Sequence, residues 1–199
     1  MDSGERVEVR LTGFGGQGVV LAGHIIGRAC AIHAGKNATL IQSFGPEARG
    51  SACSATLAIS DGPVLYPYIT RPDVLVAMSS EGFEKYRDEL APEGILVYEQ
   101  DLVHPTVREG QRAFGVPSTR IAESLGRAIV QNLVMVGFFG AVTGLVPVEA
   151  LRQAVEHSVP AGTEKLNLAA FEKGFEYLGG AVDQPVPEVL LPSLGGAPA

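Results

Sequence analysis

The chain has 199 residues, 46% of them apolar, with 25 glycines and a formal net charge of −7 at pH 7. That length suits one domain with a sizeable core, the apolar share excludes a disordered chain, and the negative charge without any Lys/Arg cluster argues against nucleic-acid binding. The two cysteines, Cys30 and Cys53, form no C-x-x-C, which excludes an iron–sulfur cluster or a four-cysteine zinc site held by this chain alone and fits a reducing cytoplasm better than secretion.

The first residues, Met1-Asp2-Ser3-Gly4-Glu5-Arg6, lack a charged region followed by an apolar core, so no signal peptide is expected. Val7-Glu8-Val9-Arg10-Leu11 reads as a strand. Its alternation is less apolar than a fully covered parallel strand requires, which points to partial exposure at one end of the sheet. Gly13-Phe14-Gly15-Gly16-Gln17-Gly18 follows, with the G-x-G-x-x-G spacing, and opens an apolar helical segment over residues 19–34. A strand, a glycine turn and a helix start form the context in which backbone N–H groups approach a phosphate. After a turn at Gly35-Lys36-Asn37, Ala38-Thr39-Leu40-Ile41 forms the next strand and completes a β-α-β unit.

Residues 42–51 form a loop by their Gly and Pro content, and Cys53-Ser54-Ala55-Thr56-Leu57-Ala58-Ile59-Ser60 returns as a strand ended by Asp61-Gly62-Pro63. Residues 73–78 and 94–98 are near-continuous apolar runs and read as central parallel strands. Between them residues 80–90 carry Phe83, Tyr86 and Leu90 at helical spacing behind Ser79 or Ser80 as N-cap. From about Val116 the chain turns helical, with a short helix over 118–125, a strongly apolar stretch over 126–146, a helix opened by Pro147-Val148-Glu149 and a last helix over 163–178. Gly140 and Gly144, four apart, would suggest helix pairing in a lipid setting, but the apolar stretch is too short for a membrane span and reads as a buried helix or a subunit contact. The pattern predicts an α/β fold: a Rossmann-like open, mostly parallel sheet flanked by helices, with a helical C-terminal part. Residues 1–180 form one domain, and residues 181–199, with Pro185, Pro187, Pro192 and Pro198, form an extended tail.

The chemistry is narrowed by what the motifs lack. A nicotinamide dinucleotide needs an acidic residue about twenty positions past the glycines to hold the ribose hydroxyls. Here the second strand ends Ile41-Gln42-Ser43, and the nearest carboxylate, Glu47, lies within the loop. No Gly-Lys-Ser or Gly-Lys-Thr follows the turn, so a P-loop nucleotide site fails as well. His24, His33, His104 and His157 match no metal or triad spacing, and no catalytic residue or metal ligand is expected. The loop at 45–51 follows the second strand at its carboxyl end, beside the glycine turn, and Arg49 offers a guanidinium fork to phosphate or carboxylate. An ordinary turn, with Arg49 paired to Glu47 or to a helix end, is the structural alternative.

Gly13-Phe14-Gly15-Gly16-Gln17-Gly18-Val19-Val20-Leu21-Ala22-Gly23 and Ser43-Phe44-Gly45-Pro46-Glu47-Ala48-Arg49-Gly50 together resemble the gamma subunit of 2-oxoacid:ferredoxin oxidoreductases. Pro72-Asp73-Val74-Leu75-Val76-Ala77 and Asn132-Leu133-Val134-Met135-Val136-Gly137 support the likeness, which runs from about Arg6 to Leu178. The resemblance implies a complex that decarboxylates a 2-oxoacid on thiamine diphosphate, passes electrons through iron–sulfur clusters to ferredoxin, and transfers the acyl group to coenzyme A. It places thiamine diphosphate and the clusters on partner subunits, these being alpha and beta and, in some complexes, a ferredoxin-like delta subunit. This chain would contribute subunit packing and coenzyme A contacts from Gly15, Gly16, Gln17, Gly18 and Arg49. The alternatives are a purely structural subunit and a stand-alone dinucleotide-binding oxidoreductase. Phe44 stands where relatives often carry Tyr, and Ser51 where they carry Gly, so a contact through that hydroxyl is not assumed. The wording of the Gly45–Gly50 motif leans toward 2-oxoglutarate-type subunits.

Overall fold

The computed structural model describes residues 6–44 and 52–180. Six strands form one sheet in the order β2-β3-β1-β4-β5-β6: β1 (Arg6–Phe14), β2 (Asn37–Ser43), β3 (Ala52–Ser60), β4 (Val74–Ala77), β5 (Ile95–Glu99) and β6 (Arg112–Val116). β1, β4, β5 and β6 run parallel, whereas β3 is antiparallel to both β1 and β2. The helices are α1 (Val19–Arg28), α2 (Ser80–Tyr86), α3 (Ser118–Ser124), α4 (Gln131–Thr143), α5 (Val148–Glu156) and α6 (Glu164–Gly180). The sheet is open and mostly parallel, as expected; β6 was not anticipated. Residues 181–199, expected as an extended tail, lie outside the described residues.

The first β-α-β unit differs from expectation. β2 is parallel to β1 but does not pair with it, because β3 folds back between them, in register with Val9 opposite Leu57 and Leu11 opposite Ala55. Nor does β1 lie at one end of the sheet; it is central, between β3 and β4. Its alternation reports two differently covered faces. Val7, Val9 and Leu11 are buried on the face that takes α1, α4, α5 and α6, together with Leu57, Ile59, Val76 and Val97. Glu8 and Arg10 point to the other face, where α2 packs on β1, β3 and β4. There Arg10 pairs with Glu89 at 2.8 Å and lies 4.2 Å from the centre of the Tyr86 ring. One helix on that side leaves room for charge, so the strand keeps a polar half.

Local signals account for most boundaries. α1 buries Val19, Ala22, Ile25 and Ile26, one helical face, and continues through a π-helical turn over Ala29–His33. α2 starts where the Ser79 hydroxyl accepts the Gly82 N–H at 3.1 Å, the expected N-cap, and runs on through a 3-10 turn at Arg87–Glu89. α4 is buried on every side, with Leu133 to Gly140 all enclosed by α1, α3, α5, α6 and β5. Enclosing Phe138, Phe139 and Phe171 contributes about 1.5–3 kcal/mol each. The apolar stretch is thus a core helix, and no helix among the described residues is long and apolar enough to cross a membrane.

Candidate functional site

The glycine turn leaves β1 at Phe14 and is closed by the Gln17 N–H donating to the Phe14 carbonyl at 3.1 Å. Gly16 (φ 101°) and Gly18 (φ 76°) occupy the left-handed region, where a Cβ is strained, and this lets the chain reverse from strand to helix within four residues. Gly18 is the N-cap of α1, and among the described residues no side chain caps that helix start. Its first N–H groups are therefore unpaired within the helix and carry the positive end of the helix dipole.

Gln17 has a different task from its neighbours. Its side-chain oxygen accepts the Phe14 N–H at 2.7 Å, and its Nε2 donates to the Met78 carbonyl at 2.9 Å. The amide thus ties the end of β1 to the residue after β4. Gly15, Gly16 and Gly18 border the adjoining cleft, whereas Gln17 does not. Arg49, expected beside the turn, lies outside the described residues. Among the described residues, β2 ends at Ser43, and β3 begins at Ala52, paired with Phe14.

The cleft encloses about 710 Å³. Its floor is the glycine turn and the first turn of α1, including Val19, Val20 and Leu21. A second wall is the α3–α4 connection and the start of α4, with Arg127, Ile129, Asn132 and Leu133. The third is the loop into α6, from Val159 to Thr163, followed by Leu166 and Asn167. Asn132, nearly fully buried, donates through Nδ2 to the Gly18 carbonyl at 3.4 Å and joins the first two walls. Asn167 donates to the Thr163 carbonyl and hydroxyl at 2.8 and 3.0 Å and fixes the third. α1 has neither an acidic residue in its first turn nor a side-chain cap among the described residues, so its bare start faces the cavity, whereas α4 follows directly on a 3-10 turn over Ala128–Val130, whose Ala128 carbonyl accepts the Gln131 N–H.

Arg127 is the charged side chain that borders this cleft, and no carboxylate borders it among the described residues. It is exposed and follows Gly126, whose φ of 91° turns the chain from α3 toward α4. Motif reading missed it; the available signal was a lone basic residue between a glycine and the apolar helix. The cavity is thus a largely apolar trough with positive character at the α1 start and at Arg127, suited to an organic anion.

The residues set aside by motif reading are occupied elsewhere. His24 and Gln42 approach at 2.9 Å, and the His33 and His157 rings stack at 5.8 Å. Both cysteines are buried and free of disulfides. Desolvation pushes the Cys30 thiol up to about 12 and raises Cys53 as well, the reverse of what a nucleophile or a cluster ligand requires. No group of three or more His, Cys, Asp or Glu among the described residues could hold a metal ion. The dinucleotide reading loses its geometry as well as its carboxylate: β3 separates the end of β2 from the glycine turn, so Ser43 lies one strand beyond the usual ribose position.

The sequence matches the pyruvate ferredoxin/flavodoxin oxidoreductase family over residues 8–177. It is 44% identical to the 2-oxoglutarate synthase subunit KorC of Methanocaldococcus jannaschii, over 86% of this chain and 93% of that one. Similarity to the pyruvate synthase subunit PorC of Methanothermobacter thermautotrophicus is lower, 34% identity over 85% and 94%. Among solved structures, the gamma subunit of a keto/oxoacid ferredoxin oxidoreductase from Geobacter sulfurreducens superposes with a TM-score of 0.78 at 38% identity, covering 88% of this chain and 99% of that one. The fold also recurs in the 2-oxoglutarate:ferredoxin oxidoreductase of Magnetococcus marinus, with a TM-score of 0.81 at 24% identity over 92% of this chain and 32% of that one.

Proposed function

Because the chain belongs to the pyruvate ferredoxin/flavodoxin oxidoreductase family, as a gamma-type subunit of the multi-subunit 2-oxoacid:ferredoxin oxidoreductases, we propose that its glycine-lined cleft contributes contacts to coenzyme A. The observation that carries this reading is the meeting of the glycine turn and the uncapped start of α1 in a cleft bordered by Arg127 and by no described carboxylate. Bare N–H groups suit the diphosphate, and the apolar walls suit the rest of an elongated ligand. The Magnetococcus marinus enzyme that shares this fold was solved with 2-oxoglutarate, coenzyme A and succinyl-CoA bound, which supports the ligand class. In this reading Gly15, Gly16 and Gly18 form the cradle, Gln17 holds its shape, and Arg49 adds charge from the neighbouring loop. Thiamine diphosphate and the iron–sulfur clusters, in the same reading, reside on partner subunits (alpha, beta and, in some complexes, delta) and supply decarboxylation and electron transfer to ferredoxin. The higher identity to KorC subunits than to PorC subunits favours 2-oxoglutarate as the substrate of the complex, in the cytoplasm.

The test is calorimetry of the assembled complex with coenzyme A, comparing wild type with Gly16→Val and Val20→Glu. Gly16 has open space where a side chain would project, although its φ strains any substitution, and Val20→Glu sets a carboxylate against the phosphates without that strain. Loss of coenzyme A affinity in complexes that still assemble is expected. Equal binding by both variants would leave the second reading, a structural subunit whose turn only packs. The Gln17 amide, spent on internal contacts, is the observation that favours that alternative.

A further inference from the structure

We infer that Arg127 is the residue that reads the ribose phosphate of coenzyme A, acting from the α3–α4 side of the cleft; this rests on the coenzyme A reading above. Coenzyme A presents two kinds of anion. The diphosphate is an extended group whose charge is spread over neighbouring oxygens, and it fits a run of backbone N–H groups carrying partial charge. The ribose phosphate is a compact monoester carrying about −1.5 to −2 charge at pH 7, and it calls for a full cation with a guanidinium fork.

The described part of the cleft separates these two requirements. The turn and the α1 start supply N–H groups and no charged side chain, whereas Arg127 supplies the full charge. The backbone of Arg127 is fixed: its N–H donates to the Ala122 carbonyl at 3.2 Å, and its carbonyl accepts the Val130 N–H at 3.2 Å. Its side chain is exposed and takes part in no ion pair or side-chain hydrogen bond among the described residues. A guanidinium held at its root and free at its tip is placed to meet a ligand, not to brace the fold. Two residues on, Ile129 also borders the cleft and is 72% exposed. A large apolar side chain standing in solvent beside a free guanidinium matches the adenine ring that accompanies the ribose phosphate. Arg127 is thus assigned to selectivity for coenzyme A over the same molecule without that phosphate.

The experiment compares coenzyme A with dephospho-coenzyme A in the assembled complex, measuring KM and kcat for wild type, Arg127→Gln and Arg127→Lys. The wild type is expected to prefer coenzyme A by about tenfold or more, the size of a charge-assisted pair. Arg127→Gln should raise the KM for coenzyme A to the dephospho value and leave kcat and the dephospho KM within about twofold, with Arg127→Lys between. An equal rise for both compounds would assign Arg127 to the diphosphate or to the fold, and no rise for either would remove it from the site; each overturns the inference. Val20→Glu, measured alongside, keeps the two claims apart. If it weakens coenzyme A while Arg127→Gln does not, only the assignment of Arg127 fails; if it weakens neither compound, the cleft is not the coenzyme A site.

Discussion

Gly137 on α4 and Gly174 on α6 lie face to face, each pressed against the backbone of the opposing helix. A Cβ on Gly137 would overlap the Phe171 carbonyl, and one on Gly174 would overlap the Val134 carbonyl. The two helices approach this closely because neither carries a side chain at the crossing, and the pair builds the densest contact in the helical layer. The obstructing atoms are backbone and cannot rotate away. Gly137→Ala should therefore lower stability by roughly 3 kcal/mol or more, beyond the usual cost of overpacking. In a chain of this size that is a fall of about 6–12 °C in Tm. Gly144→Ala is the contrast. Gly144 ends α4 at φ 58°, and nothing lies within 4 Å of the place a Cβ would occupy, so only conformational strain of about 1–2 kcal/mol is at stake. Thermal unfolding of the two variants side by side checks the distinction; equal losses would show that close packing is not what Gly137 provides.

The division between what the chain announces and what it conceals follows the range of the interaction. The glycine turn, the Ser79 cap and the periodicity of α1 and α2 act within a few residues and were legible. β3 was seen as a strand, but its insertion between β1 and β2 rests on pairing across the sheet, such as Val9 with Leu57, which no local pattern specifies. β6, Arg112-Ala113-Phe114-Gly115-Val116, is a short edge strand that is mostly half-buried, so it lacks the continuous apolar run that revealed β4 and β5. The helix crossing uses Gly137 and Gly174, a pair no local pattern reveals because Gly174 is contributed by a helix far along the chain, while Gly140 takes the Leu151 side chain of α5. The cleft was half legible for the same reason. Its glycine floor is a local motif, whereas Arg127 and Asn167 reach it only through the folding of α4 and α6.

Asp73 gives a pH dependence whose sign can be worked out. Burial is the main cause that raises its pKa above the ordinary carboxylate value, opposed by the Glu8 N–H that it accepts at 2.8 Å, while the Glu8 charge raises it further. A carboxyl with a folded-state pKa above its unfolded value binds its proton more tightly when folded. Its stabilising contribution is complete below the unfolded value, near 3.9, and is lost as pH rises through the folded value. At neutral pH the ionised group is therefore a small liability. Asp73→Asn keeps an oxygen for the Glu8 N–H and removes the charge. Its Tm should exceed that of the wild type at pH 7, by an amount that shrinks as the pH is lowered into the ordinary carboxylate range. A Tm below wild type at pH 7 would mean that the charge itself is needed there.

Thiol chemistry follows from burial. With its pKa pushed up to about 12 by burial, the Cys30 thiol stays protonated at pH 8. Cys53 is also raised by desolvation, but it borders the cleft and keeps 8% exposure. A chromogenic disulfide reagent should find neither thiol quickly in the native protein and both after denaturation. Any slow native reaction should map to Cys53 by mass spectrometry. Rapid native labelling of Cys30 would contradict its burial in the π-helical turn that continues α1.

Gln17 is where the integrity of the turn can be separated from ligand binding. Its amide needs both ends, an oxygen for the Phe14 N–H and a nitrogen for the Met78 carbonyl. Gln17→Glu keeps the acceptor but sets a carboxylate oxygen against the Met78 carbonyl, which loses its donor. Gln17→Met keeps the length and loses both bonds. Leaving a partly buried acceptor unpaired costs about 1–3 kcal/mol, and adding charge beside it costs more. The expected order of Tm is therefore wild type, then Gln17→Met, then Gln17→Glu. Because the side chain does not border the cleft, the coenzyme A affinity of correctly folded Gln17→Met complexes should stay within about threefold of wild type, less than 1 kcal/mol. Val20→Glu, which does border the cleft, should show the opposite pattern, with binding reduced and Tm little changed. Unfolding curves together with calorimetry on the same preparations check this, and a Gln17→Met complex with full thermal stability but abolished binding would place the amide on the ligand.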